Sequence, residues 1–251
     1  MVFMSSLTLT NADVLKSAVA IISEIIDEGV FTFGPNGMSM LSPDRTMVAV
    51  VDFKLLSTAF EEYKVDNPVE VGLNITNLSN ILRRVKGTDK LTINLDSKGK
   101  VELVVEGDGK RKFELPIINV SLEKPPIDQL VFPGRIDMES GILESGIEDA
   151  GVIGDSVIFE ASQDLFKLSA KTDTTSSQLE LKKGDNGLLD IKMQEPARAR
   201  YPLDYLKKMA KACKLTNQVS LEFGTDYPLR LSFKELDKVN LCFILAPRVE
   251  D

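Results

Sequence analysis

Pro202-Leu-Asp-Tyr-Leu-Lys-Lys-Met-Ala-Lys-Ala-Cys-Lys214 sets Leu203, Leu206, Met209, Ala210 and Cys213 on one helical stripe, opened by a proline suited to a first turn. The opposite stripe holds Lys207, Lys208, Lys211 and Lys214, opposed only by Asp204. After it the period changes. Residues 218–223, 229–233 and 239–245 read as short alternating strands with one buried face. An amphipathic helix followed by a three-strand meander is thus the unit from which the rest can be read.

The unit recurs. A helix capped by Asn11 or Asp13 lines up Val14, Ala18, Ile21, Ile22, Ile25 and Ile26. One from Asn74 turns Ile75, Leu78, Ile81, Leu82 and Val85 inward, and one from about Glu139 to Gly154 does so with Ile142, Leu143, Ile147, Ala150 and Ile153. The starts at 11, 74, 139 and 202 are 63, 65 and 63 residues apart, which predicts two halves, each itself two-fold. Residues 91–95, 101–106 and 111–117 match the meander of the last quarter, and Asn36-Gly37, Asp108-Gly109 and Asn186-Gly187 predict tight hairpins. The fold class is α+β: each quarter reads strand, helix, three strands, with helices on one face of antiparallel sheets. Two similar domains, 1–118 and 131–251, meet at a connector, 119–130, where Pro125-Pro126 interrupts both periods.

Composition removes most chemistry. The 251 residues are 43% hydrophobic and 27% charged, enough for two cores, and no apolar run approaches the roughly 18 residues of a membrane span. The start, Met1-Val-Phe-Met-Ser-Ser, lacks the pattern of a signal peptide, so a soluble intracellular protein is expected, with no membrane partner. There is no histidine, which excludes Ser-His-Asp and Cys-His catalysis and nearly all zinc sites. Cys213 and Cys242 read as small buried apolar groups. Glu106-Gly-Asp-Gly109 lies between strands and is a hairpin turn, not a phosphate loop, and Asp44, Asp149 and Asp155 share no catalytic spacing. No enzyme activity, metal or cofactor is expected.

The net charge of -8 disfavours a nucleic-acid partner unless charge is divided between faces. The fourth helix has its lysine stripe, and the second carries Arg83, Arg84 and Lys86 with no acid from 74 to 86. Such faces are either ordinary solvated surface or a contact to phosphate backbone alone, since neither has interleaved aromatics or a base-reading fingerprint.

The stretches Leu15-Lys16 through Ile25-Ile26-Asp27-Glu28, Gly37-Met-Ser-Met-Leu-Ser-Pro-Asp-Arg-Thr-Met-Val48, Phe113-Glu-Leu-Pro-Ile117 and Leu245-Ala-Pro-Arg-Val-Glu-Asp251 resemble the proliferating cell nuclear antigen family, the DNA sliding clamps, most of all its archaeal members. The resemblance covers essentially the whole chain. It implies three two-domain subunits closed head-to-tail around double-stranded DNA, as a homotrimer or heterotrimer, with helices lining the hole. It implies a non-catalytic processivity factor, loaded by an ATP-driven clamp loader, that tethers DNA polymerase, flap endonuclease and DNA ligase. DNA contact then falls to Lys16, Arg83, Arg84, Lys86, Lys207, Lys208, Lys211 and Lys214. The partners' short motif, the PIP-box, would dock among Pro43, Met47, Val50, Leu122, Ile127, Leu130, Pro228, Leu229, Ile244, Ala246 and Pro247. Subunits would join by the edge strands of Arg111, Phe113 and Leu115 and of Ser177, Leu179 and Leu181. The third helix departs from the family, with Glu139, Glu144, Glu148 and Asp149 and no basic residue, which argues for unequal DNA contact and leaves a heteromeric ring open. The resemblance implies a cytoplasmic, nucleoid-associated protein in an archaeon and a nuclear one in a eukaryote. The alternative is an intracellular interaction scaffold that does not encircle DNA.

Overall fold

The computed structural model describes residues 5–65, 67–96, 99–121 and 125–248. They form two compact units. The first lies within Met1–Arg45, Val51–Lys124 and Glu235–Leu241, the second within Thr46–Val50, Pro125–Lys234 and Cys242–Asp251. The expected connector is divided between the units after Lys124.

The first unit runs β1 (Ser5–Leu9), α1 (Asp13–Ile22), β2 (Glu28–Gly34), β3 (Gly37–Pro43), β4 (Ala49–Leu56), β5 (Glu62–Val65), β6 (Val69–Asn74), α2 (Ile75–Leu82), β7 (Lys90–Asp96), β8 (Lys100–Glu106) and β9 (Lys110–Pro116). One sheet has the order β5-β1-β7-β8-β9, and β4-β3-β2-β6 are neighbours in another. In the first, antiparallel register aligns Tyr63, Leu7, Ile93, Leu103 and Phe113 in one cross-strand row. Leu7 and Leu103 are wholly buried, as alternation with period two demands of the inner face.

The second unit runs β10 (Gly134–Glu139), α3 (Ser140–Ile153), β11 (Ser156–Ala161), β12 (Leu165–Lys171), β13 (Ser176–Lys182), β14 (Leu188–Met193), β15 (Ala197–Pro202), α4 (Leu203–Ala210), β16 (Gln218–Phe223), β17 (Leu229–Glu235) and β18 (Val239–Leu245), with β4 divided between the units after Val50 and β18 after Leu241. Its sheets have the orders β13-β12-β11-β15 and β14-β10-β16-β17-β18. Element for element this repeats the first unit, and Ile191, Ile136, Leu221 and Leu231 form the equivalent row. Its core adds an aromatic cluster in which Phe159 meets Phe166, Tyr201 and Phe223 edge-on at centroid distances of 5.6, 5.4 and 6.0 Å. Each such pair adds about 0.5–1.5 kcal/mol beyond burial.

Strand, helix, three strands holds in all four quarters, and the first and third carry one strand more, β5 and β14. Asn186-Gly187 is not the tight hairpin expected of it: β13 and β14 lie in different sheets, and β14 pairs with β10. Helix 1 stops at Ile22 instead of continuing through Ile26, because Glu24 and Ile25 donate to Ile21 and Ile22 in tighter i to i-3 turns. Ala12, and neither Asn11 nor Asp13, is the N-cap of α1 and gives no side-chain cap, Asn11 Oδ1 accepting from the Asp13 amide at 2.8 Å just before it; Asn74 does cap α2, its Oδ1 accepting from the Asn77 amide at 2.8 Å. Pro202 stands just outside α4, with ψ 125, instead of inside its first turn.

Two contacts lock the first unit. Gly72 O accepts from the Ile118 amide at 2.9 Å, and a Cβ on Gly72 would stand 2.1 Å from Ile118 O, so only glycine lets the chain leaving β9 cross β6 this closely. Asp89 is 2% exposed. Its carboxylate accepts from Arg111 Nη2 at 2.6 Å and from the Lys86 amide at 3.1 Å, while Arg111 Nη1 donates to Arg84 O at 2.9 Å. Arg111, expected in a subunit contact, is therefore engaged within its own unit. Arg111→Ala should destabilise the protein by about 1.5–3 kcal/mol, the range for hydrogen bonds to a charged group, because it strands a buried carboxylate. Denaturant unfolding measures this, and adding Asp89→Asn should recover part of the loss; a change within experimental error for Arg111→Ala contradicts it.

Candidate nucleic-acid interface and partner groove

The basic residues sit on α1, on α4 and in the turns that follow α2 and α4, and part of that charge is already committed. Lys16 Nζ, on α1, donates to Val85 O at 3.0 Å in the turns that close α2. Lys207 Nζ, on α4, donates to Gly151 O at 3.2 Å in the last turn of α3. Carbonyls there lack intrahelical partners and form the negative end of the helix dipole, so each lysine ties its helix to the neighbour. Arg83, Arg84 and Lys86 do not lie on α2, which ends at Leu82; the amides of Arg83 and Arg84 close its last turns. Arg83 and Arg84 are exposed there and make no ion pair among the described residues. Lys86 Nζ lies 2.5 Å from Asp108 Oδ2, and that hydrogen bond holds its ammonium above the usual lysine range.

On α4 the buried residues are Leu203, Leu206, Met209 and Ala210. At about 100° per residue, Asp204 and Lys208 lie opposite that stripe, Lys207 on one flank and Tyr205 on the other, and of these Asp204 and Lys207 are exposed while Lys208 and Tyr205 are half-buried. Lys208 Nζ sits 5.3 Å from the centre of the Tyr205 ring, a cation–π distance. Lys211–Lys214 form a 3-10 turn, in which residues three apart eclipse, so Lys211 and Lys214 are stacked instead of splayed. Lys214 Nζ is 3.8 Å from Glu144 Oε1 on α3. Glu148 and Asp149 are exposed on α3, which carries no basic residue. Burial pushes the Cys213 thiol up to about 12, with the Glu144 carboxylate adding to it, so Cys213 stays a neutral core group. What these helices offer is point positive charge, suited to phosphate and blind to bases.

Most of the expected groove falls in the second unit. Met47 is 62% exposed and in the left-handed region, φ 58. Its neighbour Val48 accepts from the Ala246 amide at 2.9 Å, and Arg248 donates its amide to Arg200 O at 2.7 Å and Nη1 to Asp155 Oδ2 at 2.7 Å. The segment Ala246-Pro247 is thereby held against the 46–48 loop. Ile127 opens a 3-10 turn, and its carbonyl accepts from Arg230 Nη2 at 3.5 Å. The Arg230 guanidinium also covers the Phe132 ring at 4.4 Å. Ile127, Leu130, Pro228, Ala246 and Pro247 keep accessible surface. Leu229, Ile244 and Val50 do not: Leu229 alternates inward on β17, while Ile244 and Val50 lie on the opposite face of their strands from the wholly buried Phe243, Leu245, Ala49 and Val51 and are covered there, which makes them the floor beneath the site instead of its lining. Pro43 is buried at the end of β3 in the first unit, and Leu122 lies outside the described residues. The sequence reading missed Arg230, Phe132 and Tyr205; an arginine one residue past Pro228-Leu229 was the available signal for the first.

Of the expected subunit strands, β9 and β13 are both sheet edges, each of seven residues, and Leu115 and Leu181 are buried on their inner faces. Phe113 and Leu179 are half-buried on the same faces, and Ser177 likewise.

The family description "Proliferating cell nuclear antigen, N-terminal domain" matches residues 4–124, and its C-terminal counterpart matches 127–248. The DNA polymerase sliding clamp of Thermococcus gammatolerans is 34% identical over 233 residues, 93% of this chain and 94% of that protein. That of Pyrococcus furiosus is 31% identical over 229 residues, 91% and 92% of the two. Among solved structures, the PCNA2-PCNA3 complex of Sulfolobus tokodaii aligns with a TM-score of 0.90 at 27% identity, over 98% of this chain and 100% of that one. With both domains matched in order, the relatives covered nearly end to end and the helix-and-sheet repeat in place, the chain belongs to the proliferating cell nuclear antigen family of DNA sliding clamps.

Proposed function

We propose that this chain is one subunit of a closed ring that encircles duplex DNA, slides on it without reading sequence, and tethers DNA polymerase and other replication and repair enzymes. The observation that carries the proposal is the pair of open edges: β9 ends one sheet of the first unit and β13 one sheet of the second. An edge strand presents unpaired backbone groups, and two different edges on one chain permit a head-to-tail contact that closes when the rotation is right. Three subunits are proposed, identical or mixed with sibling clamp chains. Phe113, Leu115, Ser177, Leu179 and Leu181 would flank that contact, with Arg111 bracing β9 from within.

The function needs no chemical step. A ring leaves DNA only by opening or at an end, so weak contacts suffice and strong ones would impede sliding. Arg83 and Arg84, exposed and without an ion pair among the described residues, are assigned the leading phosphate contacts, with Lys208 and Lys211 their counterparts in the second unit; Lys16, Lys86, Lys207 and Lys214 each reach a carbonyl or carboxylate of their own unit. The acidic α3 makes the contact uneven around the hole. A clamp loader, flap endonuclease and DNA ligase are proposed as further partners, and the chromosomal DNA of the cell as the place of work.

Light scattering at near-physiological salt should give a trimer, with sibling chains added if the chain is heteromeric. The ring should remain on nicked circular DNA after loading and be lost once that DNA is linearised. A strict monomer under every mixture, or no topological retention, would favour the scaffold reading. Reversing Arg83, Arg84, Lys208 and Lys211 together should lower the slope of log affinity against log salt by about 3.6, at about 0.9 per phosphate contact, whereas Lys86→Ala should barely change it. In the groove, anchors typically cost more than about 2 kcal/mol when truncated, so Ile127→Ala with Pro247→Ala should weaken a PIP-box peptide well over tenfold in calorimetry and leave the trimer intact. Equal affinity in that double variant would move the groove elsewhere.

A further inference from the structure

The flank of α4 away from α3 makes a contact that neither the DNA face nor the groove accounts for. Tyr205 Oη and Thr46 Oγ1 share a hydrogen bond of 3.0 Å. Thr46 directly precedes Met47, whose left-handed backbone costs about 1–3 kcal/mol for a residue with a side chain. That strained loop is pinned on both sides: by Tyr205 before it and by the Val48–Ala246 hydrogen bond after it. The same Tyr205 ring lies beneath the ammonium of the half-buried Lys208, on the polar side of α4. One side chain thus touches the loop that bears an accessible groove residue through its hydroxyl, and a phosphate-facing cation through its ring. All of these residues belong to one compact unit.

We infer that Tyr205 is a positioning residue that couples occupancy of the groove to the contact with DNA. This rests on the groove and DNA faces proposed above. An apolar partner segment seated against Met47 and Ala246-Pro247 fixes the loop in its strained form. The Thr46 hydroxyl then stays on Tyr205, and the ring keeps the Lys208 ammonium ordered against its face, so the cost of ordering that lysine is met before phosphate arrives. Coupling of this kind is reciprocal: DNA tightens the partner by the factor by which the partner tightens DNA. The Thr46–Tyr205 hydrogen bond by itself corresponds to roughly two- to tenfold in affinity.

The test uses the full chain, a short labelled duplex at low salt, and a synthetic peptide with one helical turn bearing an aliphatic side chain and an aromatic pair. Anisotropy gives DNA affinity with and without saturating peptide, and calorimetry gives peptide affinity with and without DNA. The readout is the ratio, which a general loosening of the fold does not generate. In the unaltered protein the two ratios should agree at about two- to tenfold. Tyr205→Phe, which keeps a ring under Lys208 and removes the hydroxyl, should bring both ratios to one. Thr46→Val should do the same, and the double variant should add nothing further, the signature of a single shared interaction. Independent binding in the unaltered protein, or a ratio that survives Tyr205→Phe, overturns the coupling alone. Failure of the unaltered protein to bind peptide or duplex at all overturns the clamp reading and the coupling together.

Discussion

Tyr63, Leu7, Ile93, Leu103 and Phe113 lie side by side across five strands, and Ile191, Ile136, Leu221 and Leu231 do the same in the second unit. Burying a side chain such as Leu or Ile contributes about 1.5–3 kcal/mol relative to exposure, so these rows fix the register of their sheets. A one-residue slip would turn every member outward. Each row also decides what must cover it. Helices with one apolar stripe are laid over the inner faces, and their remaining side chains become the only part of that layer that other molecules meet. The polar faces of α1 to α4, basic on α4 and acidic on α3, are therefore a consequence of where the apolar rows are.

Within that layer charge is spent on the fold before it is offered to a ligand. Lys16 and Lys207 each close the end of a neighbouring helix, and Lys86 and Lys214 each face a carboxylate. Exposed pairs of this sort contribute at most about 1 kcal/mol and are screened by salt, so they temper the positive face more than they stabilise the unit. A chain with a net charge of -8 can still present cations to phosphate because the acids are mostly elsewhere, α3 being the main exception beside Asp13 on α1 and Asp204 on α4.

The repeat was legible because helix starts recur at nearly equal spacing and because the meanders after α2 and α4 keep clean alternation; both meanders are found where they were expected. What the sequence hid has physical causes. β5 is four residues long with exposed or half-buried side chains, too short to show a period. Ile25 and Ile26 continue the apolar stripe of α1, yet the chain tightens after Ile22 and delivers Ile26 to the core from the approach to β2. The lysines at 211 and 214 fit a helical stripe equally well as a 3-10 turn, and only backbone hydrogen bonds tell the two apart. Leu229 and Ile244 illustrate a different limit: family likeness marks a neighbourhood, while strand alternation for Leu229 and burial of both strand faces for Ile244 decide which member of it faces solvent. Tyr205 and Arg230 act through contacts far apart in sequence, with Thr46 and Ile127, which no local pattern announces.

The proposed ring has to satisfy two opposed demands, and the seven-residue edges suit both. A ladder between two such strands forms about seven backbone hydrogen bonds, each with a net contribution of about 0.5–1.5 kcal/mol, so a junction amounts to several kcal/mol before side chains are added. That is enough for a ring to persist on DNA. It is also small enough that separating one junction leaves the others and both cores untouched, since the apolar rows do not depend on the edge being paired. Opening is then confined to a surface whose backbone water can solvate, and Arg111, anchored inward on Asp89, keeps β9 in shape while it is unpaired.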